Sequence, residues 1–317
     1  RFVTNRHAAC PLETRGLIGE CDRDSGRLRL TGAAKVTYFN RRHIAAAFDL
    51  DEEKVELIEL DVGGGFGARG ELYPEDYLVL IAARRVGKPV KWIEDRRENL
   101  MACNHSRDIT CDLEIAGTLD GTILGMRCTV LGDLGAYVRT NGGVVPSKAV
   151  QFLPGPYRIP SFAAEMKAIV TNKTPVGTMR GPGRFEATFC RERMLDIMAR
   201  DLFIDPAELR LKNLLNSEEL PYRIGELLPG DPDATFDEGD YGSAFRQLLE
   251  MIDYDNWKTK QGCEQDGKLM GLGLAIFVES SAGGPPETAR INIHCDGRVE
   301  LYTGASSVGQ GLETGMA

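Results

Sequence analysis

Residues 61–69 read D-V-G-G-G-F-G-A-R, and no other stretch constrains the fold as strongly. Glycine lacks a β-carbon, reaches positive φ without strain and lets backbone come close to whatever lies opposite. Residues 54–62 before the glycines alternate apolar and polar, as a half-buried strand does. A helical pattern follows over residues 73–85. The glycines therefore sit at a strand exit, a usual place for a bound group. The first amides of the helix are expected to face an anion or a polar part of a cofactor. Neither phosphate fingerprint fits. A dinucleotide loop needs G-x-G-x-x-G, and Ala68 stands where the third glycine belongs after Gly63 and Gly65. A P-loop ends in G-K-[ST], which Ala68-Arg69-Gly70 does not supply. The run specifies close backbone approach and leaves the ligand open, with an ordinary turn as the plain alternative.

Two more glycine loops occur. Residues 174–186, T-P-V-G-T-M-R-G-P-G-R-F-E, place Arg180 and Arg184 among glycines, where an arginine suits a planar polar or anionic group. Residues 304–315, G-A-S-S-V-G-Q-G-L-E-T-G, again follow a strand-like segment. Loops of this kind in separate parts of the chain suggest one ligand held between them. Between them the pattern predicts a hairpin of residues 108–116 and 123–133 turning at Asp120-Gly121, and a helix over 185–202 with Phe189, Met194, Ile197 and Met198 on its apolar face. Strands are expected over 270–279, 289–295 and 298–303, the last two joined at Asp296-Gly297. Prolines, glycines and acidic residues crowd 216–241. The expected organisation is a first domain over 1–215, a linker over 216–241 and the start of a second domain over 242–317.

The chain has 317 residues, 42% hydrophobic and 27% charged, as a globular protein does. A net charge of -9 without a long basic run argues against nucleic acid as a partner. No apolar stretch is long enough to span a bilayer, and no signal-peptide pattern stands at Arg1. Eight scattered cysteines form no C-x-x-C and have no histidine cluster beside them, so free thiols are expected rather than a metal site. The expected location is the cytoplasm, with the periplasm as the alternative.

Four blocks in order, P-L-E-T-R-G (11–16), G-G-G-F-G (63–67), M-R-G-P-G-R (179–184) and G-Q-G-L-E-T (309–314), carry a resemblance, with D-L-G-A-Y (133–137) and Y-R-I-P (157–160) in support. Together they resemble the molybdenum hydroxylases, the xanthine oxidase and aldehyde oxidase family, over nearly the whole chain. The match is to the molybdopterin-binding large subunit. The resemblance implies an α+β fold, the mixed α/β layers of the molybdenum-cofactor-binding domains. It implies a molybdenum–molybdopterin group, with or without a cytosine dinucleotide form, that oxidises an aldehyde or N-heteroaromatic carbon with oxygen from water. Electrons would pass to iron–sulfur and FAD centres on an iron–sulfur subunit and a flavin subunit, in a dimer of heteromers. The alternative is a family-derived scaffold or assembly subunit without catalysis.

Residue by residue, the resemblance implies cofactor contacts from Gly65, Phe66, Gly67, Arg180, Gly309 and Gln310, and no protein side chain as a metal ligand. Many relatives carry a glutamine thirty-one residues before the loop phenylalanine, where this chain has Lys35. A cation there would stabilise developing negative charge. Purine-oxidising relatives have an acid four residues after the phenylalanine, an aromatic two residues after the loop arginine and an arginine thirty-two before it; here stand Gly70 (with Glu71 adjacent), Pro182 and Lys148. Xanthine is thus disfavoured, and Lys148 is the candidate on the substrate side. Carbon monoxide oxidisers have a cysteine after the loop arginine, where this chain has Gly181. The family's catalytic glutamate lies beyond Ala317, so the expectation is a fragment, inactive by itself.

Overall fold

The structure is a computed structural model and describes residues 1–32, 36–139, 141–224, 235–279 and 288–317. The chain enters with β1 (Phe2–Thr4), then forms β2 (Gly16–Cys21), β3 (Leu28–Gly32), helix α1 (Thr37–Phe48), β4 (Val55–Glu59), α2 (Pro74–Val86) and β5 (Val90–Ile93). Strands β2 to β5 make one sheet in the order β4-β3-β2-β5. The β3–β4 pair is parallel and the other two are antiparallel. Parallel neighbours need a crossover, and α1 supplies it. Leu17, Leu28, Leu30 and Val55 face Ile44 and Ala45 of α1 and Val79 and Leu80 of α2 in a single apolar cluster.

After α3 (Arg96–Ala102) come β6 (Ile109–Gly117), β7 (Ile123–Asp133), α4 (Val144–Phe152), β8 (Phe162–Ile169), α5 (Arg184–Leu202) and α6 (Pro206–Asn213). The second sheet has the order β1-β6-β7-β8. The expected β6–β7 hairpin is antiparallel, and β8 pairs β7 in parallel after crossing over through α4. Ile109, Cys111 and Leu113 on β6 and Met126, Cys128 and Val130 on β7 are all buried. That alternation puts one face of the hairpin against α4 and α5, where Val145, Ala149, Ala187, Leu195 and Met198 complete the larger core. Helices α7 (Tyr241–Met251) and α8 (Tyr254–Lys260), the hairpin β9 (Ala289–Ile293) with β10 (Val299–Thr303), and the short α9 (Leu312–Met316) follow. The fold is α+β, in mixed layers of helix and sheet. The eight cysteines are free, and no group of metal-ligating side chains occurs among the described residues.

Two expectations change. Residues 270–279 form no strand and join no sheet among the described residues. Two of their carbonyls are taken by buried arginines instead: Arg191 reaches Ile276 O at 2.6 Å and Arg210 reaches Leu274 O at 3.1 Å. The inner face of α5 is also more polar than its pattern suggests. Phe189 is 37% exposed, whereas Arg191 and Glu192 are buried. Glu192 accepts from Arg191 Nε at 2.8 Å and from Arg210 Nε at 2.8 Å, so the buried charges are mutually satisfied.

Candidate functional site

At the exit of β4 the glycine run turns twice, with Ala68 N–H donating to Gly65 O at 3.0 Å and Gly70 N–H to Gly67 O at 3.2 Å. Phe66 is left-handed at φ 51, between Gly64 at φ 100 and Gly67 at φ 94. That conformation costs a bulky residue about 1–2 kcal/mol. One hydrogen bond that helps hold it comes from Arg180 N–H to Phe66 O at 2.9 Å. The phenyl ring is 45% exposed. No acceptor among the described residues takes the Phe66 or Gly67 N–H. Two adjacent free amides on a positive-φ turn form a hollow suited to an anionic or oxo oxygen.

The other two glycine loops close on this turn. A β-carbon on Gly67 would lie 2.9 Å from Thr178 O, so the approach of the Arg180 loop depends on glycine there. Thr178 Oγ1 also donates to Gly67 O at 3.4 Å. From the other side, a β-carbon on Gly65 would meet the Val308 side chain at 3.3 Å. Gln310 shapes that last loop: its Nε2 donates to Ser306 O at 2.7 Å and its Oε1 accepts from Val308 N–H at 2.7 Å. Gly309 is at φ 106, beside Val62 O. Gly65, Phe66, Gly67, Arg180, Gly309 and Gln310 thus lie on three loops, the second and third of which each touch the first.

A charged platform braces the turn from behind. Glu13 accepts from Gly63 N–H at 2.7 Å and from Arg69 at 3.0 Å. The Gly63 amide, with Arg69 adding to it, holds the Glu13 carboxyl below its ordinary pKa. Tyr73 donates its hydroxyl to Ala68 O at 2.6 Å and accepts from Asn104 N–H at 3.1 Å. Its ring lies between two guanidiniums, Arg15 at 3.9 Å and Arg139 at 4.0 Å from the centroid. Arg15 pairs Glu94 and Glu75, and Arg139 pairs Glu71 at 3.2 Å. Burial raises the Tyr73 phenol well above its usual range and pushes Asp76 up to about 6.

Comparison with known proteins decides what this junction belongs to. The molybdopterin cofactor-binding domain family matches residues 1–214, and a second family of the same description matches residues 247–317. This chain belongs to the molybdopterin-binding large subunits of the molybdenum hydroxylases. It is 37% identical to the 6-hydroxypseudooxynicotine dehydrogenase complex subunit gamma of Paenarthrobacter nicotinovorans, over 100% of this chain and 40% of that protein. It is 33% identical to the carbon monoxide dehydrogenase large chain of Hydrogenophaga pseudoflava, over 97% of this chain and 40% of that one. Among solved structures, quinoline 2-oxidoreductase from Pseudomonas putida 86 superposes with a TM-score of 0.90 at 30% identity, over 99% of this chain and 41% of that one. The chain therefore spans about 40% of the length of the curated relatives it matches.

The residues of this molybdopterin-binding chain fit such a group: two free amides, backbone surfaces that only glycine permits, and a carboxamide in the last loop. Near the junction the Asn104 carboxamide, buried against Gly177, makes no hydrogen bond. The substrate-side candidates are placed less directly. Lys148 is on α4, where its backbone packs against Gly183 three residues beyond Arg180 and its Nζ donates to Gln151 at 2.6 Å. Lys35 lies outside the described residues. Glu71 is paired with Arg139 in the platform, not exposed in a substrate pocket. At the start of α2 the Asp76 carboxyl takes Tyr73 N–H at 2.7 Å, and Asp76 N–H donates to Tyr73 O at 3.1 Å. Sequence reading overlooked Glu13, Tyr73 and Arg107 as supports. The only signal was the 11–16 block, whose role becomes plain once Glu13 is seen holding Gly63.

Proposed function

We propose that this chain supplies the cofactor-binding junction of a molybdenum hydroxylase that oxidises an aldehyde or N-heteroaromatic carbon. The observation that carries the reading is the meeting of three glycine loops around the unpaired Phe66 and Gly67 amides. When bound, the molybdenum–pterin group supplies two-electron oxidation of carbon with oxygen drawn from water. The chain's own work is to hold and orient. Phe66 and Gly67 N–H donate to an oxygen of the group, Arg180 adds positive charge beside it, and Gly309 and Gln310 grip the pterin from the last loop. Lys148 and Lys35 act from the substrate side. The names of relatives, a 6-hydroxypseudooxynicotine dehydrogenase subunit, a nicotine 6-hydroxylase subunit and a quinoline oxidoreductase, favour an N-heteroaromatic substrate. Gly181 in place of a cysteine counts against carbon monoxide, although two relatives act on it by name.

Electrons leave to an iron–sulfur subunit and a FAD subunit in a dimer of heteromers, in the cytoplasm. No helix among the described residues is long and apolar enough to cross a membrane. The division into 1–215, a 216–241 linker and 242–317 is supported by the two separate family matches. Residues 1–317 alone are expected to be inactive. The deciding test is molybdenum and pterin analysis of the full-length protein from a host that loads other molybdoenzymes, followed by turnover on a panel of aldehydes and N-heteroaromatics. Stoichiometric molybdenum with pterin is expected. A folded protein free of both sinks the reading in favour of the scaffold.

A further inference from the structure

Arg107 lies just before β6 with its backbone left-handed at φ 71, and Asp108 follows at φ 53. Two successive non-glycine residues in that region carry strain that their surroundings must offset. Asp108 is pinned by Arg6 at 2.8 Å and Lys173 at 3.1 Å. The Arg107 side chain lies in the interior, with the residue 6% exposed. Its guanidinium donates to Arg180 O at 2.7 Å, to Gly181 O at 3.2 Å and to Glu186 at 3.2 Å. It also lies over the Phe185 ring, 4.8 Å from the centroid. Arg180 is therefore held at both ends of its backbone, its carbonyl by Arg107 and its N–H by Phe66 O.

We propose that Arg107 is a positioning residue that sets the Arg180 loop, and through it the Phe66 turn, in the shape that receives the molybdenum–pterin group. The inference rests on the cofactor reading above. A simpler role would be to neutralise buried Glu186. The geometry goes further, because one planar fork spans two successive carbonyls and the carboxylate. Neutralising Glu186 needs only a charge, which lysine also has; reaching all three acceptors needs the fork.

The test uses the full-length enzyme and four forms: wild type, Arg107→Lys, Glu186→Gln and Arg191→Lys. Arg191 is the control, another buried arginine on carbonyls away from the junction, reaching Phe152 O at 2.9 Å and Ile276 O at 2.6 Å. Each form is measured for thermal stability, for molybdenum and pterin per folded chain, and for the Mo(V) electron paramagnetic resonance signal. The expected result is lowered stability in all three variants. Only Arg107→Lys loses cofactor, tenfold or more, with a changed signal from what remains. Glu186→Gln and Arg191→Lys keep theirs within twofold. Equal cofactor content in Arg107→Lys and Arg191→Lys, full or depleted, overturns the proposal. So does cofactor loss in Glu186→Gln, which would make the ion pair the cause. A wild type without molybdenum overturns the cofactor reading itself, and is told apart because it shows before any variant is compared.

Discussion

Replacing Gly67 with alanine perturbs the junction at its tightest point. The new β-carbon would lie 2.9 Å from Thr178 O and 3.3 Å from Met179 Cα, both backbone atoms that cannot rotate away. Ordinary contacts of this kind lie at about 3.5–4.0 Å, so the 178–180 segment must recede by roughly half an ångström or more. Arg180 N–H then parts from Phe66 O, now 2.9 Å away. An alanine at φ 94 costs about 1–3 kcal/mol in backbone strain. The weakened hydrogen bond adds about 0.5–1.5 kcal/mol. The total is roughly 2–4 kcal/mol, or a fall in Tm of about 5–15 °C for a unit of this size. Gly26→Ala is the control, at φ 68 with no atom within 4 Å of the added carbon, and costs only the backbone strain of about 1–2 kcal/mol. Differential scanning fluorimetry and molybdenum content of the full-length protein read both effects. If Gly67→Ala melts with Gly26→Ala and keeps its molybdenum, the loops do not meet as described.

Tyr73→Phe keeps the ring between Arg15 and Arg139 but leaves Ala68 O and Asn104 N–H without their partner. It should cost about 1–3 kcal/mol by chemical denaturation, and a neutral outcome would mean that those groups re-pair. Asp76, raised to about 6 by burial, binds its proton more tightly folded than unfolded. Its contribution is therefore most favourable below about pH 4 and declines as pH rises through about 6. Asp76→Asn retains an acceptor for Tyr73 N–H and should flatten that decline in Tm measured from pH 4 to 7; an unchanged slope assigns it to other groups. Gln310→Ala removes both bonds that shape the last loop. Amide exchange over residues 305–311 should rise at least tenfold, and unchanged protection would show that Val308 packing on Gly65 suffices.

Local pattern made much of the architecture legible. Alternation over β6 and β7 marked the hairpin because each strand buries one face, and the 54–62 segment reads as the strand that leads into the glycine turn. The three loops were visible from glycine content, and the ordered blocks pointed to the family that the comparisons establish. Pattern failed where chemistry came from far along the chain. Residues 270–279 look like a strand, yet two of their carbonyls go to arginines on α5 and α6. The α5 face that seemed apolar hides a charge network because its partners come from α6 and Tyr157.

The sequence by itself determined where backbone is free to come close and which segments bury one face, since both follow from local residue type and spacing, and its ordered blocks carried the family resemblance. Only the tertiary structure decided that residues 63–67, 178–181 and 306–310 share one junction, and that Glu13, Tyr73 and Arg107 hold it. Those contacts join positions tens to hundreds of residues apart. A hydrogen bond such as Arg107 to Arg180 O leaves no trace in the local pattern of either partner, because it exists only once two sheets and their helices have packed.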